Sequence, residues 1–221
     1  MTREQIFEFF RLLEELNPEP ETELKFGNVY QLLVAVVLSA QATDAGVNKA
    51  TRSLFEEVKT PQQMVALGED GLKQHIKTIG LFNSKAKNVI ALSEQLIANY
   101  SSEVPQNRDE LVKLPGVGRK TANVVMNCAF GEETFAVDTH VFRVGNRTGL
   151  AKGKTPEQVE AKLEKRVPSP FRRHAHHWLI LLGRYTCKAR KPECWRCPVV
   201  DLCSFKKKVL ENPKKAKVAA G

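Results

Sequence analysis

The sequence contains no apolar stretch long enough to cross a membrane. Its longest wholly apolar run, Leu32 to Leu38, covers seven residues, whereas a membrane-spanning helix needs about 20. The first residues are polar and lack the apolar core of a secretory signal. We therefore expect neither a membrane protein nor an exported one, but a protein that works in the cytoplasm.

Patterns typical of β-strands are almost absent. Alternating apolar and polar residues between hairpin turns are hardly seen, and the chain has no repeat of fixed length and no low-complexity linker. Apolar residues recur instead at helical spacing behind capping residues such as Thr2 and Asn28. The sequence predicts an all-α fold, in which a helix that begins at Pro61 ends near Gly68 and a separate helix starts at Asp70.

Acidic residues are scarce in the C-terminal part of the chain. Residues 184–221 hold eleven Lys or Arg against three Asp or Glu, so that this part carries a charge of +8 out of the total of +9. The first thirty residues are acidic, with three basic residues against seven acidic ones. Such a concentrated basic charge points to a polyanion, such as nucleic acid, as the partner. The lysine-rich end, residues 212–221, is expected to be a disordered basic tail.

Cysteine is scarce too, and four of the five cysteines fall within seventeen residues: Cys187, Cys194, Cys197 and Cys203. Because a chain that is not exported keeps its thiols reduced, we expect metal ligands rather than disulfides. Four thiolates in one short loop can hold zinc or a cubane iron–sulfur cluster. The spacing C-x6-C-x2-C-x5-C, with a single C-x2-C knuckle between longer arms, favours the larger cluster, and zinc remains the alternative.

A second feature is the segment LVKLPGVGRKTANVV at residues 111–125. Pro115 breaks one helix, and Gly116 and Gly118 allow a tight hairpin before the next helix begins. Glycines let backbone N–H groups approach a phosphate, and a helix N-terminus attracts anions. The segment therefore predicts a helix-hairpin-helix, over about 108–128, that holds a DNA backbone. Lys120 lies in the first turn of the second helix, where its position alone favours a phosphate contact over a role as a nucleophile.

The segment AVDTHVFR follows at residues 136–143. Asp138 occupies the position of a helix N-cap, so capping is one interpretation of this residue. The other is a carboxylate held at a helix start for catalysis. His140 is expected either to contact DNA or to line a cleft.

Taken together, these motifs resemble the bacterial endonuclease III family of DNA glycosylases. The resemblance rests on LPGVGRK at 114–120, VDTHV at 137–141 and the cysteine spacing, in that order, and it also takes in LSAQATD at 38–44, IGL at 79–81 and HWLI at 177–180. It covers residues 1 to about 210. It implies that the four cysteines hold a [4Fe–4S] cluster, and that the protein is a bifunctional DNA glycosylase and AP lyase. The implied substrate is duplex DNA with an oxidised or saturated pyrimidine or an abasic site.

The resemblance also implies roles for single residues. Lys120 matches the nucleophile of the family, and Asp138 matches its catalytic carboxylate. Gln41 matches the residue that fills the gap left by a flipped base, and Leu81 matches the apolar wedge beside it. Further DNA contacts are expected from Gly116, Gly118 and His140 and from three cations in the cysteine loop: Lys188, Arg190 and Lys191.

The architecture implied by the resemblance is a pair of helical lobes with a cleft between them. Residues 22–132 would form a six-helix lobe that contains the hairpin. Residues 1–21 and 133–211 would form the iron–sulfur lobe. A monomer associated with the nucleoid is expected.

Two alternative functions stay open at this point. A monofunctional adenine glycosylase shares the hairpin, the aspartate and the cluster, but it needs no amine at Lys120. A non-catalytic DNA-binding module with a zinc knob would use Lys120 as a phosphate contact and Asp138 as a cap.

Overall fold

A computed structural model describes residues 1–212, and within them every regular element is a helix. The α-helices are α1 (Arg3–Leu16), α2 (Val29–Leu38), α3 (Asp44–Glu57), α4 (Pro61–Ile76), α5 (Phe82–Asn99), α6 (Arg108–Leu111), α7 (Arg119–Phe130), α8 (Thr139–Thr148), α9 (Pro156–Arg166) and α10 (Arg172–Leu181). Short 3-10 turns span Ser169–Phe171 and Cys194–Arg196, and a π-helical turn spans Leu182–Thr186. The all-α prediction is confirmed. The expected basic tail, apart from its first residue, lies outside the described residues.

The sequence-based prediction of two helices separated near Gly68 is confirmed. Helix α4 consists of two helical segments that meet at a sharp kink at Gly68, whose φ of 75° and ψ of 169° are not helical. Glycine reaches this left-handed region at no steric cost, so the chain bends there and resumes its helix at once. The first segment therefore ends at Gly68, where the sequence predicts its end.

The chain divides into two compact units. One unit runs from Thr22 to Glu132, and its core is built around α2, in which every residue from Tyr30 to Leu38 is buried. Two buried hydroxyl groups of this core pair with each other, since the Tyr30 hydroxyl lies 2.6 Å from the Ser93 hydroxyl. Helix α2 thus supports the segments on either side of it, including the turn that leads into α3.

The other unit joins Met1–Glu21 to the chain from Glu133 onward. Phe10 of α1 stacks on Phe171, with ring centroids 5.8 Å apart, and Trp178 of α10 packs beside both rings. The Trp178 Nε1–H donates to the carbonyl oxygen of Asn17 at 2.7 Å. The end of α1 is therefore fastened to a helix more than 150 residues further along the chain.

No described helix combines the length and the apolar character that crossing a membrane requires.

Candidate functional site

Buried apolar side chains hold the hairpin between α6 and α7 in place. Leu111, Leu114 and Val117 are buried, and the Val117 N–H donates to the Leu114 carbonyl oxygen at 3.0 Å. Gly116 has a φ of 77°, and a Cβ there would come within 3.0 Å of the Asn88 side chain on α5. Only glycine combines this positive φ with the absence of a Cβ, so Gly116 allows the turn to pack closely against α5.

The start of α7 is open to solvent. Gly118 is its N-cap and supplies no capping side chain, and a Cβ at Gly118 would meet only open space. The side chain of Lys120, in the first turn, is exposed. Backbone amides and an exposed amine thus lie together at a helix N-terminus, the arrangement that binds a phosphate.

Asp138 caps α8. Its Oδ1 accepts hydrogen bonds from the backbone N–H groups of His140, at 2.9 Å, and Val141, at 2.8 Å. Both cap bonds end on the same oxygen, so the capping interpretation of the sequence is confirmed while Oδ2 is not committed to the cap. The carboxylate is only partly buried.

Gln41 and Leu81, two of the three exposed non-glycine residues with positive φ in the Thr22–Glu132 unit, hold backbone conformations that side chains disfavour. Gln41, between α2 and α3, has a φ of 54°, and Leu81, directly before α5, has a φ of 60°. The Leu81 side chain is 59% exposed. A non-glycine residue in this region costs about 1 kcal/mol or more and is often found at functional sites. Gln41 and Leu81 are the positions for which the family resemblance implies insertion into DNA.

The four clustered cysteines lie around one small cavity. Cys187, Cys194, Cys197 and Cys203 all line it, together with Leu182, Val200, Phe205 and Lys208 among others. All four are free thiols and partly buried. Burial, with a smaller contribution from the other three cysteines, raises the pKa of Cys197 to about 11. Four sulfur donors around one enclosed space are the donor set that an iron–sulfur cluster uses.

The loop between the first two cysteines is held by Glu193. Its carboxylate binds Lys188 at 2.5 Å and also pairs with Arg196. Lys188 therefore shares the single carboxylate of Glu193 with Arg196, and its contact with DNA stays a prediction. Arg190 and Lys191 are exposed, and neither forms an ion pair within the described chain.

Helix α8 is fastened to the cysteine loop by two arginines, one turn apart, that the sequence analysis did not single out. Arg143 donates to the carbonyl oxygens of Cys187, at 2.9 Å, and Gly183, at 2.8 Å. Arg147 donates to the carbonyl oxygens of Lys188, at 2.6 Å, and Ala189, at 2.8 Å. The only hint in the sequence is their spacing of four residues, which places them on one helical face.

The other end of the Arg143 side chain reaches the first turn of α8. Its Nη2 lies 3.1 Å from His140 Nδ1. A Cβ at Gly183 would lie 2.8 Å from the His140 Cβ, so the π-helical turn packs directly on that first turn. The residues that follow the cap formed by Asp138 are therefore in direct contact with the segment that leads into Cys187.

Comparison with protein families agrees with this arrangement. Residues 34–169 match the HhH-GPD superfamily base excision DNA repair protein, and residues 187–203, from the first clustered cysteine to the last, match the iron-sulfur binding domain of endonuclease III.

Curated relatives and solved structures agree as well. The chain is 58% identical to endonuclease III of Rickettsia conorii, over 93% of this chain and 98% of the relative. It is 56% identical to endonuclease III of Escherichia coli strain K12, over 95% and 99%. A structure described as a trapped endonuclease III–DNA covalent intermediate matches with a TM-score of 0.86 and 46% identity, over 92% of this chain and 96% of that one. A thermostable thymine-DNA glycosylase matches with a TM-score of 0.78 and 27% identity, over 94% and 95%.

The hairpin, the capped aspartate and the sulfur-lined cavity thus define a helix-hairpin-helix DNA repair glycosylase that carries a [4Fe–4S] cluster. The cysteines therefore hold an iron–sulfur cluster rather than zinc. The chain belongs to the endonuclease III family, and it is a bifunctional DNA glycosylase and AP lyase of base excision repair.

Proposed function

We propose that this enzyme removes oxidised or saturated pyrimidines from duplex DNA and then cuts the strand 3′ to the lesion. The observation that carries the proposal is the combination, within one unit, of the exposed Lys120 at a hairpin and two exposed residues held at positive φ, Gln41 and Leu81. The amine can attack a sugar, while the two strained positions present side chains that can enter a base stack.

The first step is extrusion of the damaged nucleotide. Leu81 enters the stack as an apolar wedge, and Gln41 fills the space that the nucleotide leaves. A side chain held in a fixed backbone conformation loses little entropy on insertion. The hairpin amides near Gly116 and Gly118 hold the backbone of the strand, without selecting a sequence.

The covalent step uses Lys120. Its neutral amine attacks C1′ of the sugar, the bond from C1′ to the base nitrogen breaks, and the base leaves with the electron pair and takes up a proton. Opening of the sugar ring gives a Schiff base between Nζ and C1′. Loss of a proton from C2′ then expels the 3′ phosphate as C3′–O breaks, and hydrolysis of the imine frees the amine.

Asp138 serves this reaction through its second carboxylate oxygen. The cap holds Oδ1 on two amides, which fixes the orientation of the carboxylate, and Oδ2 remains available to accept a proton or to stabilise the positive charge on the sugar. The four cysteines would hold the cluster, which supplies a rigid core for the loop rather than a reacting group.

Trapping with borohydride tests the proposal. With a duplex that contains thymine glycol or an abasic site, reduction is expected to leave a covalent adduct of protein and DNA. Base release from a panel of damaged duplexes identifies the lesions. Release without an adduct would indicate a monofunctional glycosylase instead. We also propose that the enzyme acts as a monomer on chromosomal DNA in the cytoplasm, which sedimentation with and without DNA tests.

A further inference from the structure

We propose that Trp195 is an additional DNA contact, which packs its indole ring on the sugars of the duplex backbone. The inference rests on the proposed function, since it takes duplex DNA as the partner. Trp195 lies in the short turn between Cys194 and Cys197, and 37% of it is exposed. The other tryptophan of the chain, Trp178, is 2% exposed. A large ring left half in solvent gains stability when a partner covers it.

The turn that carries Trp195 is rigid. Its neighbour Arg196 donates from Nη2 to the Tyr185 carbonyl oxygen at 2.6 Å and also pairs with Glu193. The Arg196 guanidinium lies 6.0 Å from the centroid of the Trp195 ring. Because Tyr185 and Glu193 already hold Arg196 in the free protein, a ligand that covers the Trp195 ring does not have to order this turn first.

The basic residues that precede Trp195 in the cysteine loop favour a polyanion as the partner. Arg190 and Lys191 stand in the adjoining turn, are exposed and form no ion pair within the part of the chain that the structure describes. Lys191 has a φ of 51°, so the tip of that turn has a defined backbone conformation. A partly exposed ring that follows two unpaired cations by four and five residues can bind a nucleic acid backbone, with the cations on phosphates and the ring on the apolar faces of the sugars.

The cations and the ring make different predictions for salt dependence. Each cation that binds a phosphate releases counterions, so its loss lowers the slope of log affinity against log salt by about one. An indole releases none. Removing Trp195 therefore weakens binding without changing the slope, which separates its contribution from that of Lys191.

The test compares Trp195→Ala, Trp195→Phe and the control Leu16→Ala for binding to undamaged duplex DNA over a range of salt concentrations. Leu16 is a 68% exposed apolar residue on α1. We expect Trp195→Ala to bind about five- to tenfold more weakly with an unchanged slope, because burial of apolar ring surface is lost, Trp195→Phe to stay within about twofold, and Leu16→Ala to match the unsubstituted protein.

Visible absorbance of the cluster is recorded for each variant. Equal affinity of Trp195→Ala and the unsubstituted protein overturns the inference. So does an affinity loss that follows a loss of cluster absorbance, because Trp195 would then be a cover for the cluster. If the proposed function itself is wrong, the unsubstituted protein forms no borohydride adduct. That result is distinct from any change in the affinity of the Trp195 variants.

Discussion

The Nε–H of Arg143 donates to the carbonyl oxygen of Cys187 at 2.9 Å, and its Nη2 lies 3.1 Å from His140 Nδ1. One planar guanidinium thus joins the residue that begins the cysteine loop to the helical turn that Asp138 caps. Burial of this group lowers the pKa of Arg143, although the ordinary value is so high that it stays protonated. We interpret Arg143 as a positioning residue that keeps the capped turn and the loop in register.

Substitution of Arg143 by Gln is expected to reduce base excision by about ten- to a hundredfold, the usual effect of losing an orienting partner around a metal site. Gln cannot replace a fork that reaches three carbonyl oxygens and an imidazole. The measurement is single-turnover excision at saturating DNA, together with cluster absorbance. Arg143→Lys, which keeps the charge alone, should be nearly as impaired. Full activity of Arg143→Lys would show that charge, and not the geometry of the fork, is what matters.

Substitution of Lys120 by Gln is expected to abolish borohydride trapping. Binding to abasic DNA should fall by less than about tenfold, because one phosphate contact among several is lost. Lys113, an exposed lysine on the other side of the hairpin that pairs with Glu110 at 2.6 Å, gives the matched control Lys113→Gln, which should still form the adduct. Trapping in Lys120→Gln at the level of the control would place the nucleophile elsewhere.

Substitution of Asp138 by Asn separates capping from chemistry. Asn caps helices about as well as Asp, and Oδ1 is the atom that accepts both cap bonds. The melting temperature should therefore change little, while excision falls by a factor of about a thousand or more, as it does when a charged catalytic group is lost. Asp138→Ala, which loses both roles, should in addition melt at a lower temperature. An active Asp138→Asn enzyme would reduce Asp138 to a cap.

Substitution of Lys191 by Gln is expected to weaken binding to damaged and undamaged duplex alike and to lower the salt slope by about one. Lys188→Gln is the matched control in the same loop. Because Lys188 is bound to Glu193 at 2.5 Å, its loss should change the slope much less. The cluster should stay in place in Lys191→Gln, since no cysteine is altered. Equal slopes for the two variants would show that the ion pair does not survive DNA binding.

His177 predicts a pH dependence of stability. Burial, with smaller contributions from His174 and Arg173, lowers the pKa of His177 from 6.5 to about 4. The unfolded chain then binds more protons than the folded one between these values, so stability is full above pH 6.5 and declines as the pH falls toward 4, by roughly 3 kcal/mol at most. Urea unfolding of the unsubstituted protein and of His177→Gln at several pH values should show a shallower decline for the variant. If stability falls equally with pH in both proteins, the pKa of His177 is not lowered by folding.

The sequence predicted the hairpin and the cap because both depend on local signals. Pro115 and Gly116 break the chain where the turn occurs, and Asp138 precedes the helix that it caps. The four cysteines were found by their spacing alone. These features are encoded within a few residues, so they can be recognised without knowing the fold.

The hydrogen bonds by which Arg143 and Arg147 hold the cysteine loop could not be predicted in the same way. Two of the three carbonyl oxygens that Arg143 reaches lie 40 and 44 residues further along the chain, and backbone acceptors leave no trace in side-chain composition. The sequence also did not distinguish Lys188, which pairs with a carboxylate five residues away, from the unpaired Lys191, because such a spacing in a loop does not determine whether two side chains meet. The positive φ of Gln41 and Leu81 was equally hidden, because neither residue type favours it.

The bond from Trp178 to Asn17 has a consequence for how the chain folds. Helix α1 is synthesised first, yet the partners of Phe10 are Phe171 and Trp178, so α1 has no core to join until nearly the whole chain has been made. The segment from Thr22 to Glu132 contains its own core and can fold in the meantime. By folding first it shortens the effective loop that α1 must close, which lowers the entropic cost of that late step. Pulse-labelled hydrogen exchange during refolding should therefore protect α2 before α1.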